Sequence, residues 1–155
     1  MSENLDILGR TAEVCLPELD DRTTYARVDT GAKTSAIWIS SAVVVDGALN
    51  VIFYGPSSPL YSGEVRSFTE FGQAVVASSN GQAQRRYKIR LLIVVGGRKI
   101  RAWFTLADRS TQVYPILIGR NVLRFKFIVD VTKFSKALEP QEKARSAALM
   151  KEVNL

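Results

Sequence analysis

Ala26-Arg27-Val28-Asp29-Thr30-Gly31-Ala32-Lys33-Thr34-Ser35-Ala36-Ile37 is the stretch on which the reading of this chain turns. A strand-favouring segment runs into a carboxylate, Asp29, and then into a Thr-Gly turn. An acid lodged where a strand ends can be held by backbone N–H groups while its outer oxygen faces a cleft. Alone the triplet is a weak signal, because Asp-Thr-Gly also makes ordinary surface Asx-turns. Gly31-Ala32-Lys33-Thr34 is not a phosphate loop: that motif needs Gly directly before Lys and another Gly five positions earlier, where Ala32 and Arg27 stand.

Outward from this stretch, short β-branched and aromatic runs punctuated by Gly, Asp, Asn and Pro dominate from residue 11 to 131, so a mostly-β fold is expected. Residues 42–45 and 48–54 flank Asp46-Gly47 and read as a hairpin, ended by Gly55-Pro56-Ser57-Ser58-Pro59. Residues 73–77 and 85–95 flank Ser78-Ser79-Asn80-Gly81, a second candidate hairpin with a polar tip. Gly96-Gly97 then reverses the chain into residues 98–106, where Ile100, Ala102, Phe104 and Leu106 alternate with Arg101, Trp103 and Thr105, the pattern of a strand with one core face. An apolar run, Tyr114-Pro115-Ile116-Leu117-Ile118, breaks at Gly119 into Arg120-Asn121-Val122-Leu123-Arg124, which suits a short helical turn over 120–125, and residues 127–131 read as a last strand. After Pro140 the chain is rich in helix formers, with Leu149, Met150 and Val153 on one side and Lys151 and Glu152 opposite.

The 155 residues fit one domain over 1–155, with a flexible N-terminus over 1–10 and a C-terminal helix and tail over 139–155. No run is long and apolar enough for a membrane helix, and the acidic, polar start is unlike a signal peptide, so a cytoplasmic location is expected. The single cysteine, Cys15, excludes an intrachain disulfide framework and reads as a core residue. With no histidine, the commonest general base and zinc ligand are gone, and with them every Ser-His or Cys-His pair. Catalysis must then rest on carboxylates, lysine or a metal held by oxygens. The net charge is +6, and no acid occurs between Glu70 and Asp108 while Arg85, Arg86, Lys88, Arg90, Arg98, Lys99 and Arg101 do, so an anionic partner is expected there against the plainer reading of a solvated basic face.

The Asp-Thr-Gly turn and the later Ile118-Gly119-Arg120-Asn121-Val122-Leu123 segment together resemble the retropepsin aspartic proteases. That resemblance implies a closed, acid-protease-like β-barrel with a short helix after Gly-Arg-Asn. It also implies a ψ-shaped loop in which Gly119, Arg120 and Asn121 support a catalytic Asp29. The spacing exceeds that of compact viral enzymes, which implies an insertion around residues 46 to 70. A closer match covers most of the chain: residues 27–36, then Ser79-Asn80-Gly81 with Arg86-Tyr87-Lys88-Ile89, then residues 105–110 leading into Leu117-Ile118-Gly119-Arg120. These resemble the bacterial RimB-type retropepsin-like proteases, commonly labelled ATP-dependent zinc proteases and associated with RimK-like ATP-grasp ligases that add glutamates to a ribosomal protein. The family often carries His shortly after Thr-Ser-Ala, where this chain has Ile37-Trp38. With no histidine and no Gly-rich nucleotide loop, neither zinc nor another cofactor is expected.

Aspartic proteolysis needs two carboxylates sharing one proton, and this chain supplies one such motif, so a homodimer pairing Asp29 with its copy is expected. The resemblance gives Thr30 a bracing role across that interface, and Gly31 would let substrate backbone approach. Other acids are poorer candidates: Asp46 belongs to its hairpin turn, Asp130 to a strand end, and Asp108 to an ion pair with Arg109. In the family template Ala32, Lys33 and Thr34 line substrate pockets, and Ser79, Asn80, Gly81, Arg85, Arg86 and Lys88 descend from a flap-like hairpin. Their charge suits an acidic peptide such as a polyglutamate tail, with a RimK-like ligase as a further partner. Two other readings stay open: a catalytically idle binding or dimerisation module, and a basic β-barrel that binds RNA through residues 71–107 with Phe71, Tyr87 or Trp103 stacking on bases.

Overall fold

The computed structural model describes residues 4–77 and 81–153. Its elements are β1 (Asp6–Leu8), β2 (Thr11–Leu16), β3 (Asp20–Val28), β4 (Ser35–Val45), β5 (Ala48–Phe53), β6 (Val65–Phe68), β7 (Phe71–Ala77), β8 (Ala83–Val95), β9 (Arg98–Ala107), β10 (Ile116–Ile118), α1 (Arg120–Leu123), β11 (Phe127–Val129) and α2 (Glu139–Val153). Six strands form a closed ring in the order β10-β3-β2-β8-β9-β4 and back to β10. This is the expected closed barrel, and closure leaves those strands no free edge. Beyond the ring, the second half of β4 pairs with β5, and β5 with β6. The segment expected as an insertion thus carries strands that continue the sheet outside the barrel.

Alternation along the strands fills the interior. Ile89, Leu91, Ile93 and Val95 of β8 meet Ile100, Ala102, Phe104 and Leu106 of β9, all buried. Phe104 is fully enclosed, a burial that contributes about 2–3 kcal/mol by transfer free energy. Val122 and Leu123 of α1 close one side of this core. The hairpin turns fall where the sequence places them: Asp46 and Gly47, and likewise Gly96 and Gly97, have the left-handed φ that two-residue turns require.

Four details differ from the sequence-based expectation. Thr105, expected on the outer face of its strand, is buried, and its Oγ1 donates to the carbonyl of the equally buried Ser35 on neighbouring β4 at 3.3 Å. Cys15 is half-buried rather than core: Val14 and Leu16 take the inward positions of β2, and the thiol turns toward the carbonyls of Asp20 and Asp21. Within the N-terminus expected to be flexible, Asp6–Leu8 form a strand parallel to β11. It is fixed by the buried Leu8 and by Arg98, whose Nε donates to Asp6 Oδ2 at 2.6 Å. Finally, α2 buries none of its residues; Leu149, Met150 and Val153 stay exposed, so the expected apolar stripe has no counterpart on the barrel.

Candidate active site

Asp29 follows the last residue of β3, at the point where β10 slots between two strands that do not pair with each other. β10 runs parallel to β3, with Ile118 opposite Val28, and antiparallel to β4, with Ile116 opposite Ile37. The loop from Asp29 to Thr34 therefore arches over the end of β10, a ψ-shaped crossing. The Asp29 N–H donates to the Ile118 carbonyl at 2.9 Å, and the Ala32 N–H donates to the Asp29 carbonyl at 3.2 Å. The Gly31 N–H donates to Asp29 Oδ1 at 2.9 Å. One carboxylate oxygen is thus fixed by the backbone, and the other has no hydrogen-bond partner among the described residues. A Cβ at Gly31 would sit 3.2 Å from Oδ1, so glycine gives the carboxylate its clearance.

The residues after β10 lock the arch from below. Gly119 passes so close to it that a Cβ would lie 2.7 Å from the Thr34 carbonyl carbon and 3.0 Å from the Ala32 oxygen. The Arg120 N–H donates to the Ala32 carbonyl at 2.8 Å, and its Nη1 to the Thr30 carbonyl at 3.1 Å. Asn121 Oδ1 accepts from both the N–H and the Oγ of Ser35, at 2.9 and 2.8 Å, while its Nδ2 donates to the Trp103 carbonyl at 2.8 Å. Ser35 is fully buried, and its Oγ also accepts from the Gly119 N–H at 2.9 Å. Sequence reasoning passed over Ser35; the available signal was its place one residue after Thr34, where β4 begins.

The predicted substrate-facing residues scatter. Ala32 and Thr34 are half-buried in the arch, and Thr30 and Lys33 are exposed on it. Ser79 and Asn80 lie outside the described residues, and Gly81 is exposed at φ 85°. Along β8 the side chains alternate, so Arg85 reaches Gln73 at 3.3 Å while Arg86 and Lys88 share the other face. Lys88 Nζ sits 4.9 Å from the centroid of the Trp103 ring. Three of the seven cations in the acid-free stretch already have carboxylate partners from elsewhere: Arg90 with Glu70, Arg98 with Asp6 and Arg101 with Glu18.

Asp108 and Arg109 do not form the expected ion pair. Asp108 Oδ1 accepts from the Ser110 N–H, an Asx-turn that lowers its pKa through Ser110's hydroxyl and amide. Arg109 turns inward, donating from Nε to the Tyr114 carbonyl at 3.0 Å. Burial, followed by the like charges of Arg27 and Arg86, lowers the Arg109 pKa to about 10, against the opposing pull of Asp29. Asp130 does close its strand end, accepting from the Thr132 amide and hydroxyl. Among the described residues no three His, Cys, Asp or Glu side chains gather to hold a metal ion.

The chain is similar to known proteins. The family described as retropepsin-like aspartic endopeptidase RimB matches residues 7–139. Two curated relatives, named probable alpha-L-glutamate ligases, come from Shewanella pealeana and Shewanella halifaxensis; each is 29% identical over 143 residues, which cover 84% of this chain and 29% of the relative. The chain thus spans under a third of the length of these relatives. A crystal structure of a Legionella pneumophila protein of unknown function superposes with a TM-score of 0.62 at 23% identity, covering 83% of this chain and 95% of that one, and so shares its fold. With the arch over Asp29 and the Gly-Arg-Asn segment that braces it, this chain belongs to the RimB-like family of retropepsin-like aspartic endopeptidases.

Proposed function

We propose that the chain is an aspartic peptidase that works as a homodimer in the cytoplasm and trims acidic peptides, above all the polyglutamate tail that a RimK-like ligase adds to a ribosomal protein. The observation that carries this reading is the state of Asp29: one oxygen held by the Gly31 N–H, the other without a partner among the described residues, on an arch cross-bonded to β10 and α1. Two such acids are needed, and a second copy of the chain across a two-fold axis supplies the other. The ionised carboxylate takes a proton from water, whose oxygen attacks the scissile carbonyl carbon, while the protonated carboxylate donates to the carbonyl oxygen. Collapse of the tetrahedral intermediate breaks the C–N bond, and the amine leaves with a proton from the dyad. In this reading Thr30, exposed beside Asp29 with its carbonyl tied to Arg120, braces its copy across the dimer interface. The ligase name of the Shewanella relatives supports a glutamyl substrate and a ligase partner.

The test is mass spectrometry of a peptide ending in oligoglutamate, incubated with wild type and with Asp29→Asn, with and without a chelator. Chelator-resistant shortening by wild type alone is expected. Shortening that survives Asp29→Asn, or that stops on chelation, would sink the mechanism. Sedimentation of the wild-type protein as a monomer at working concentrations would remove the dimer.

A further inference from the structure

A cleft of about 450 Å³ opens between the barrel and α2, and its lining includes Arg10, Arg27, Arg109, Arg145, Tyr114 and Glu142. Glu142 is the one acid of that lining, set against four guanidinium groups. It does not neutralise them: its Oε1 accepts from the Tyr114 hydroxyl, and among the described residues no ion pair joins it to any of the four. Tyr114 in turn offers its carbonyl to Arg109 Nε, which leaves the terminal amino groups of Arg109 without a partner among the described residues. Guanidinium groups crowded in a partly dry space repel one another unless an anion arrives, and their planar forks match carboxylates two bonds at a time.

The position is as telling as the charge. Arg27 precedes Asp29 by two residues at the end of β3, and Arg109 is close enough to feel the Asp29 charge. The opposite wall is α2, which buries none of its residues and so is lightly held. We propose that this cleft is a carboxylate-binding subsite for an acidic peptide, in which Arg27, Arg109 and Arg145 take glutamate side chains and Glu142 holds the space until they arrive. The inference rests on the acidic-peptide reading above and gives it a second, previously unassigned set of residues. A peptide carboxylate fits better than a nucleic acid: of the two aromatic rings of the lining, Phe134 is already covered by Arg10 at 4.0 Å and Tyr114 is buried, so neither offers an open face for a base, and the occupant in place is itself a carboxylate.

The full chain carrying Asp29→Asn, titrated with a fluorescent oligoglutamate peptide, tests this by affinity without turnover. Adding Arg27→Gln and Arg145→Gln, on an exposed and a half-buried side chain, is expected to weaken binding about tenfold and to flatten its salt dependence. Glu142→Gln keeps an oxygen for the Tyr114 hydroxyl but loses the competing charge, and is expected to tighten binding about threefold. Affinities within twofold of the parent for both variants, each with an unchanged circular dichroism spectrum, overturn the proposal. So does a single-stranded RNA that displaces the peptide at lower concentration. Cleavage by chains with Asp29 intact is scored separately. A peptide bound through the arginines but never cut keeps the subsite and removes the peptidase; a peptide cut with a KM indifferent to them does the reverse.

Discussion

The arch over Asp29 and the hairpin of β7 and β8 both looked functional in the sequence, and they are built on opposite principles. The arch is saturated: Ser35, Gly119 and Asn121 exchange four hydrogen bonds among themselves and with Trp103, centred on the fully buried Ser35. The hairpin's outer half is exposed, and among the described residues its arginines hydrogen-bond glutamines, Gln73 for Arg85 and Gln84 for Arg86. A saturated polar network in a low-dielectric setting fixes atoms within tenths of an ångström, which a carboxylate dyad needs. Exposed cations on a two-stranded ribbon keep their conformational freedom, which suits capture of a variable acidic chain. Under the proposed function, positioning and capture are divided between these two regions of one barrel.

Gly119→Ala should break the contrast most severely, because the new methyl meets backbone atoms of Thr34 that cannot move without lifting the arch. A loss of about 2–3 kcal/mol is expected, read as a shift in the denaturation midpoint. Ser35→Ala and Asn121→Ala should each cost about 1–3 kcal/mol by stranding a buried partner. The double variant should cost clearly less than the two added together, since both remove the same network; additive losses in a double-mutant cycle would show the network is no unit. In the hairpin, Gly81→Ala forces a side chain into φ 85° with open space around it, so strain alone should cost about 1 kcal/mol by the same denaturation assay. Arg85→Gln with Arg86→Gln should leave stability within about 0.5 kcal/mol while raising the KM for an acidic peptide, an effect that fades as salt is added.

The barrel was legible because its strands alternate cleanly, as in Ile89, Leu91, Ile93 and Val95, and its turns carry Asp-Gly and Gly-Gly. The arch was legible because two short motifs far apart in the chain shared one family pattern. What escaped depended on contacts the local sequence does not encode. Cys15 sits between two apolar neighbours and reads as core, yet strand parity turns it outward. Asp108 and Arg109 are adjacent and of opposite charge, but neighbouring residues at the end of a strand point apart, and each found its partner in the following loop. The acid-free basic stretch implied one continuous face; folding brought Glu18, Asp6 and Glu70 to three of its cations and left Arg85, Arg86 and Lys88 divided between the two sides of β8, with Lys99 on β9. The arginine cleft, drawn from four separate segments, had no linear signature at all.

The strand that frames Asp29 is the last of the six ring strands to be synthesised. Thr30 and the Arg120 that braces it are ninety positions apart, so most of the barrel has left the ribosome before the arch has anything to close upon. Such long-range closure is slow compared with the hairpins β4–β5 and β8–β9, which can zip from their own turns. A nascent chain therefore carries Asp29 for most of its synthesis without the frame that positions it. The order of the strands along the chain thus sets when the Asp29 arch can close.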